Sequence, residues 1–106
     1  MFSYTISEEL NEARLELAGE LTIENSRDMS RAFQEAMAEK GRVRIDLSRA
    51  EKGDVSLLMI VGSALQLAGS KGGSLRVATP LPEFFTELAN TAGCAFMLQD
   101  LQDQDS

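Results

Sequence analysis

Apolar and polar residues alternate in two short stretches near the start of the chain. The stretches are 2–6 and 13–18, and a polar segment, 8–12, lies between them. Alternation with a period of two is typical of a strand that has one buried face. The pattern therefore predicts an antiparallel pair of strands, which ends at Gly19.

A helical pattern follows this pair of strands. Asn25 is placed to cap the N-terminus of the helix, with Asp28 at the capping-box position, and Thr22 is the alternative cap. Gly41 ends the pattern, as glycine commonly does after the last turn of a helix. The predicted helix buries one stripe of apolar residues, spaced three and four apart: Met29, Ala32, Phe33, Ala36 and Met37.

The rest of the chain alternates between short strands and helices. Residues 49–53 are predicted to form a charged connection after the third strand. The segment 79–83 begins the last helix, because proline suits the first turn and glutamate favours the positive helix end. Gly93 ends that helix. The other predicted segments are strands at 43–47, 75–78 and 95–98 and a helix at 56–69.

The resulting order, β-β-α-β-α-β-α-β, predicts an α/β fold with a mixed, largely parallel sheet and helices on one face. A chain of 106 residues is long enough for one domain with one core. We expect that domain to span residues 1–98. The polar and acidic segment 99–106 is predicted to be a disordered tail.

Composition narrows the chemistry. The net charge of −7 and the pI of about 4.5 argue against nucleic-acid binding, which needs clustered Lys and Arg. The chain has no His and one cysteine, Cys94, which excludes an internal disulfide and a cysteine-based zinc site. We expect no metal, no cofactor and a buried, unreactive Cys94. No apolar run approaches the roughly 20 residues that span a bilayer, and no export signal is visible, so we expect a cytoplasmic protein without direct membrane insertion.

Charged residues are scarce in the second half of the chain. Five lie between residues 54 and 99, whereas the first 53 residues carry nineteen. Either this half is rich in core residues, or it carries an apolar face that binds a partner. A weakly polar stripe with a methionine suits docking on a protein, unless a neighbouring loop covers the methionine. One face of the helix 56–69 has this character and is predicted to point away from the sheet: Ser56, Met59, Ser63 and Gln66.

The segment Asp54-Val55-Ser56-Leu57-Leu58 resembles the Asp-Ser/Thr-Ser-Gly-Leu motif of STAS domains, the family of bacterial anti-sigma-factor antagonists. The similarity runs from about residue 2 to residue 98, because four other segments match the family in order and spacing. These segments are Leu17-Ala18-Gly19-Glu20-Leu21, Val43-Arg44-Ile45-Asp46-Leu47, Gly72-Gly73 and Ala89-Asn90-Thr91-Ala92-Gly93.

The resemblance implies a four- to five-stranded mixed sheet with helices packed mainly on one face, and a protein-interaction module rather than an enzyme. In regulatory members, a partner that is both kinase and anti-sigma factor phosphorylates the second hydroxyl residue of the motif, and only the unmodified form binds that partner. That residue is Ser56 here, and the acidic residue before it is Asp54. A helix N-terminus favours an added phosphate, because free N–H groups point at it. In the simpler interpretation, Ser56 and Asp54 only satisfy the helix end.

Several positions depart from the family pattern. Val55 replaces the first hydroxyl residue, Leu57 replaces the glycine, and Lys52 and Gly53 replace apolar residues before the motif. Thr22 replaces an acidic residue that antagonists usually carry, and we include it among the expected partner-binding residues.

An altered motif also suits a second hypothesis, a constitutive subunit such as the small STAS protein that binds the ATPase of a lipid-transport ABC complex. A small enzyme is a third hypothesis. It is disfavoured because a nucleophilic serine needs a base, and because Gly72-Gly73 lacks the Lys-Ser/Thr ending of a phosphate-binding loop. The sequence leaves nucleotide binding and the oligomeric state open.

Overall fold

A four-stranded mixed sheet forms the framework of the computed structural model, which describes residues 1–9, 11–78 and 80–101, without the side chains of residues 39 and 40. The strands follow one another in the sheet in chain order. Their bounds are β1, Ser3–Glu9; β2, Glu12–Leu21; β3, Arg42–Gly53; and β4, Ser74–Val77.

Helices separate the strands after the initial hairpin. A short 3-10 turn, Ile23–Asn25, leads into the first of them. The bounds are α1, Ser26–Lys40; α2, Val55–Ser70; α3, Glu83–Thr91; and α4, Phe96–Leu101. The predicted α/β class, with a mixed sheet, is confirmed.

One face of the sheet carries the core. β1 pairs with β2 in antiparallel orientation, whereas β2, β3 and β4 are parallel to one another. The inward positions of the central strands and the apolar stripes of the helices pack into one continuous cluster. Its largest fully buried members include Leu15, Leu17, Met29, Ile45, Leu57, Leu75 and Phe85.

The other face of the sheet is covered by ion pairs between β2 and β3. Arg14 lies 2.7 Å from Asp46, and Arg44 lies 2.9 Å from Glu12. Burial raises the pKa of Asp46, but hydrogen bonds from Ser48 and Arg14 outweigh it and hold that pKa below its usual value. Arg14 is paired directly with Arg44 across the two strands, and these diagonal ion pairs offset the repulsion between them.

The end of the domain differs from the prediction. Residues 95–98 do not form a last strand. Ala95 lies in the turn before α4 and residues 96–98 begin that helix, where the N–H of Met97 donates to the carbonyl of Cys94. The four-residue spacing of Met97 and Leu101, both buried, explains why a helix forms here. Residues 99–101, expected in the tail, are the last turn of α4, and residues 102–106 of that tail lie outside the described residues.

Two connections also differ. The charged segment 49–53 is not a loop but the second half of β3, paired in parallel with the end of β2 after a register shift. Neither Asn25 nor Thr22 caps a helix with its side chain; the Asn25 amide donates to the carbonyl of Glu20 instead. Gly41 ends α1 in the left-handed conformation, as predicted.

The close contact between Gly41 and Gly73 yields a stability prediction. A Cβ on Gly73 would overlap the Gly41 carbonyl oxygen, which also accepts a hydrogen bond of 2.9 Å from the N–H of Ser74. We expect Gly73→Ala to lower the free energy of unfolding by about 2 kcal/mol. The control is Gly69→Ala within α2, where a Cβ meets nothing within 4 Å. Measured by urea unfolding, the free energy of unfolding of this control should equal or exceed that of the parent. Equal destabilisation by both variants would contradict the role of the contact.

Candidate functional site

The carboxylate of Asp54 joins two segments of the chain at the start of α2. Asp54 has an extended backbone and follows the last residue of β3. Its carboxylate accepts a hydrogen bond of 3.0 Å from the N–H of Ser56, which caps the helix. It also accepts one of 2.9 Å from the N–H of Ile23, in the turn that follows β2. The same side chain therefore fixes the helix end and the neighbouring turn.

Ser56 is a buried residue that points into this cap. Its side chain is 5% exposed, and its hydroxyl donates a short hydrogen bond to Oδ1 of Asp54. Ser56 therefore does not share the exposed face of α2 with Met59, Ser63 and Gln66, and the sequence prediction was wrong on that point. The reason is local: a hydroxyl in the first turn of a helix lies within reach of the cap carboxylate.

The environment of Asp54 keeps its carboxyl group ionised. Burial raises the pKa of Asp54, but hydrogen bonds from the Ser56 hydroxyl and from the N–H groups of Ile23 and Ser56 outweigh it. The pKa consequently lies below its ordinary value. The site is an anion already saturated with donors, which suits a structural cap better than a general base.

Two departures from the family motif compensate each other beneath the cap. Leu57 is fully buried, and a Cβ on Gly53 would lie 2.8 Å from its Cδ2 atom. Gly53 therefore leaves the space that the Leu57 side chain occupies. Phe84 closes the same space, since its Cε1 atom would lie 3.1 Å from that Cβ. The Leu57 side chain is thereby accommodated in the core.

Exposed apolar side chains surround the cap. Ile23, Val55 and Met59 are 64%, 54% and 67% exposed, and we call these three residues the docking patch. Ile23 is tied to Asp54 by its N–H, and Val55 and Met59 are one turn apart on α2. Sequence analysis identified Met59 but missed Ile23 and Val55. An apolar residue between Asp54 and Ser56, where the family has a hydroxyl, was the available signal.

The remaining predicted site residues lie around this patch. Ser63 and Gln66 are exposed, farther along α2. Thr22 is half-buried next to Ile23, and its hydroxyl oxygen is buried with no hydrogen-bond partner among the described residues. Thr22 thus lies near the cap, without joining its hydrogen bonds.

A groove runs between α1 and α2 and begins at the docking patch. Its volume is about 320 Å³, and Met59 belongs to both the patch and the groove. The apolar residues that line the groove are Phe33, Met37, Met59, Ile60, Ala64 and Leu67.

The described part of the chain holds neither a metal-binding cluster nor a membrane-spanning helix. No cluster of three or more His, Cys, Asp or Glu side chains is arranged to hold a metal ion there. Within the same residues, no helix has the length and apolar character needed to cross a membrane. Cys94, expected to be buried, is half-buried, and its thiol lies 3.7 Å from the carbonyl oxygen of Ala92.

The fold is similar to that of several solved structures, among them anti-sigma factor antagonists. A candidate antagonist from Thermotoga maritima has a TM-score of 0.75 at 20% identity, over 99% of this chain and 86% of that protein. Unphosphorylated SpoIIAA has a TM-score of 0.68 at 14% identity, over 98% of this chain and 90% of SpoIIAA. The phosphorylated form of SpoIIAA, from Bacillus, also matches, with a TM-score of 0.68 at 12% identity over 98% and 92%. At these identities the likeness shows the shared fold.

A family model decides the membership. The model described as "Mlab, STAS domain" matches residues 4–99, so the chain belongs to the STAS-domain family. The fold also occurs as part of a larger protein: 74% of the chain matches Mglu at 18% identity with a TM-score of 0.60, but this covers only 19% of Mglu. No curated protein sequence gives a match.

The cap predicts how Asp54 contributes to stability. We expect Asp54→Ala to lower the free energy of unfolding by about 1 kcal/mol at neutral pH, because three hydrogen-bond donors lose their acceptor. The folded-state pKa is depressed, so this contribution is present above the unfolded pKa of about 3.9 and is lost as the pH falls through the folded pKa.

Urea unfolding of both proteins between pH 7 and pH 3 measures this contribution. The difference between parent and variant should shrink towards zero below about pH 4. Asp100→Ala, at an exposed carboxylate, is the control and should change stability by less than about 0.5 kcal/mol. A difference that stays constant down to pH 3 would contradict the charged cap.

Proposed function

We propose that this STAS domain docks on a protein partner through the docking patch, and that phosphorylation of Ser56 controls the docking. The partner would be a kinase of the anti-sigma-factor type. The observation that carries the proposal is the Asp54 carboxylate, which binds both Ser56 and the backbone of Ile23. In this arrangement a change at the Ser56 hydroxyl disturbs the Asp54 carboxylate, which also holds the backbone of Ile23 in the patch. The domain would act by binding rather than by catalysis, in the cytoplasm.

The composition of the patch supports docking. Ile23, Val55 and Met59 each expose more than half of their surface. α2 carries no charged residue from Val55 to Ser70, so no charged side chain of this helix solvates its exposed face. Exposed apolar surface that is grouped around one point marks interaction sites more often than isolated apolar residues do.

Phosphorylation would act directly on the cap. The kinase would transfer the γ-phosphoryl group of its ATP to Oγ of Ser56. The bond between the γ-phosphorus and the β,γ-bridging oxygen would break, ADP would leave, and the hydroxyl proton would pass to a base of the kinase. The phosphoserine carries about −1.5 to −2 charges near neutral pH and no longer donates to Asp54. Repulsion between the phosphate and the Asp54 carboxylate would separate the two groups, and the N–H of Ile23 would lose its acceptor. The helix N-terminus would offset part of this repulsion.

The comparison structures support a switch of this kind. SpoIIAA has been solved in both a phosphorylated and an unphosphorylated form, and both share the fold of this chain. This chain retains a serine and an acidic residue at the corresponding motif, as Ser56 and Asp54.

A second candidate function is a constitutive subunit that docks on the ATPase of a lipid-transport ABC complex. The observation that favours it is the burial of the serine: Ser56 is 5% exposed, so a kinase would have to open the cap to reach the hydroxyl. In this case the patch still docks, and Ser56 is only a helix-end residue.

The two candidates are separated by affinity and mass. The tagged chain would be recovered from its native cells, its intact mass measured, and the captured partner titrated against variants of the chain. For the switch, we expect a phosphorylated fraction that maps to Ser56. Ser56→Asp should bind the partner at least about tenfold more weakly, whereas Ser56→Ala should bind normally.

The matched control is Ser70→Asp, which adds the same charge to an exposed serine at the other end of α2, outside both the cap and the groove. A similar loss with Ser56→Asp and Ser70→Asp would mean that added charge acts without the cap. An ATPase partner recovered without phosphate, and insensitive to Ser56→Asp, would overturn the switch in favour of the constitutive subunit.

A further inference from the structure

The groove between α1 and α2 has an apolar floor and uncharged walls. Three neutral polar residues, Ser30, Gln34 and Ser63, complete the lining of the apolar groove described above. The walls are the sides of two helices, whose backbone hydrogen bonds are satisfied within each helix. An extended peptide would find no backbone partners there, whereas a helix satisfies its own.

A basic rim borders this groove on the α1 side. Arg27 and Arg31 are exposed and line a more open depression that shares Ser30, Gln34 and Ile60 with the groove. Neither arginine takes part in an ion pair within the described residues. The two arginines are therefore available to an acidic ligand.

Two acidic residues of α1, Asp28 and Glu35, lie beyond this rim, on the side that faces β1. Glu35 accepts a hydrogen bond of 3.1 Å from the Tyr4 hydroxyl on β1, and Arg31 and Asp28 both lie close enough to act on that hydroxyl. Arg31 therefore lies between these acids and the groove. The α2 wall is neutral throughout, so charge is present on one side of the groove only. Arg27 and Arg31 therefore attract negative charge locally, although the chain as a whole has a net charge of −7.

We infer that the α1–α2 groove binds an amphipathic helix of a partner protein, with an apolar stripe on the groove floor and acidic residues against Arg27 and Arg31. This inference rests on the proposed docking function and adds the chemistry of the partner segment. The groove meets the docking patch at Met59, so one partner can contact both. A groove of about 320 Å³ holds a few anchor side chains, as in other helix-in-groove complexes.

A membrane surface is a poorer occupant. Anionic lipid attracts clusters of about four to eight basic residues, whereas the rim has two arginines. Vesicles of phosphatidylglycerol are therefore included in the test as a competing ligand. Binding to the vesicles through Arg27 and Arg31 would overturn the inference.

The test uses two synthetic helical peptides of about 16 residues with the same leucine stripe. One carries Glu beside the stripe and the other carries Lys. Each is titrated into the full ¹⁵N-labelled chain at an ionic strength of about 0.15 M, where the contribution of distant charges is screened within about 8 Å. We expect the Glu peptide to bind at least about tenfold more tightly and to shift the amide signals of Ser30, Gln34, Ser63 and Leu67. Equal affinity for the two peptides, no binding, or shifts confined to other surfaces would each overturn the inference.

Variants identify the surface. The double variant Arg27→Glu, Arg31→Glu should reverse the preference towards the Lys peptide. Arg42→Glu with Arg49→Glu makes the same charge change at two exposed arginines of β3 and should leave the preference for the Glu peptide intact. Leu67→Glu, at a groove residue that is 42% exposed, should weaken both peptides. If both double variants lost the preference for the Glu peptide equally, the proposed role of Arg27 and Arg31 would be contradicted.

The captured partner separates this inference from the proposed function. If that partner loses affinity with Ile23→Glu but binds Leu67→Glu and the Arg27, Arg31 variant normally, the docking patch stands and the groove inference fails. If the groove variants lose affinity while Ser56→Asp binds normally, the groove stands and the switch fails.

Discussion

Three hydrogen bonds converge on the carboxylate of Asp54, and the architecture of the candidate site depends on them. Two come from Ser56, through its N–H and its hydroxyl, and one comes from the N–H of Ile23. The first two begin α2 at the residue after the cap. The third attaches the turn after β2 to the same point, although it is 31 residues away along the chain. Because one acceptor serves two segments, neither segment can move without affecting the other.

The sheet explains why these segments meet. β2 and β3 are parallel neighbours, so their C-terminal ends lie at the same edge, where Leu21 pairs with Gly53. The chain leaves β2 into the turn that contains Ile23 and leaves β3 into Asp54. The helices cover one face of the sheet, while the ion pairs of Arg14 and Arg44 cover the other. The apolar patch and groove are therefore confined to the helical side.

The sequence predicted most of this framework, because its signals are periodic and local. Alternation located the four strands, and the apolar stripe of α1 and Gly41 located that helix and its end. The sequence prediction was wrong where tertiary contacts determine the secondary structure. The apolar run after Gly93 is compatible with a strand or a helix, and burial of Met97 and Leu101 together selects the helix. The charged end of β3 resembles a loop because parallel pairing with β2 is not visible in a single segment.

In the candidate site, too, local sequence signals predicted some features, whereas tertiary contacts determine the others. The motif identified Asp54 and Ser56 as neighbours at a helix start, but the burial of Ser56 follows from the cap geometry and the shape of the core around it. The fit of Leu57 into the space left by Gly53 also requires three dimensions, since each residue alone reads as a departure from the family pattern. Ile23 joins the site through its backbone N–H, which no side-chain pattern can reveal.

Amide hydrogen exchange of the full chain, with phosphoserine incorporated at position 56, tests the coupling most directly. Exchange at Ile23 reports the hydrogen bond to Asp54, and exchange at Ile45, in the middle of β3, reports global stability. The account predicts that phosphorylation speeds exchange at Ile23 by at least about tenfold while that at Ile45 changes little. Unchanged protection of Ile23 in the phosphorylated chain would contradict it, because Ser56 and the docking patch would then not be linked through Asp54.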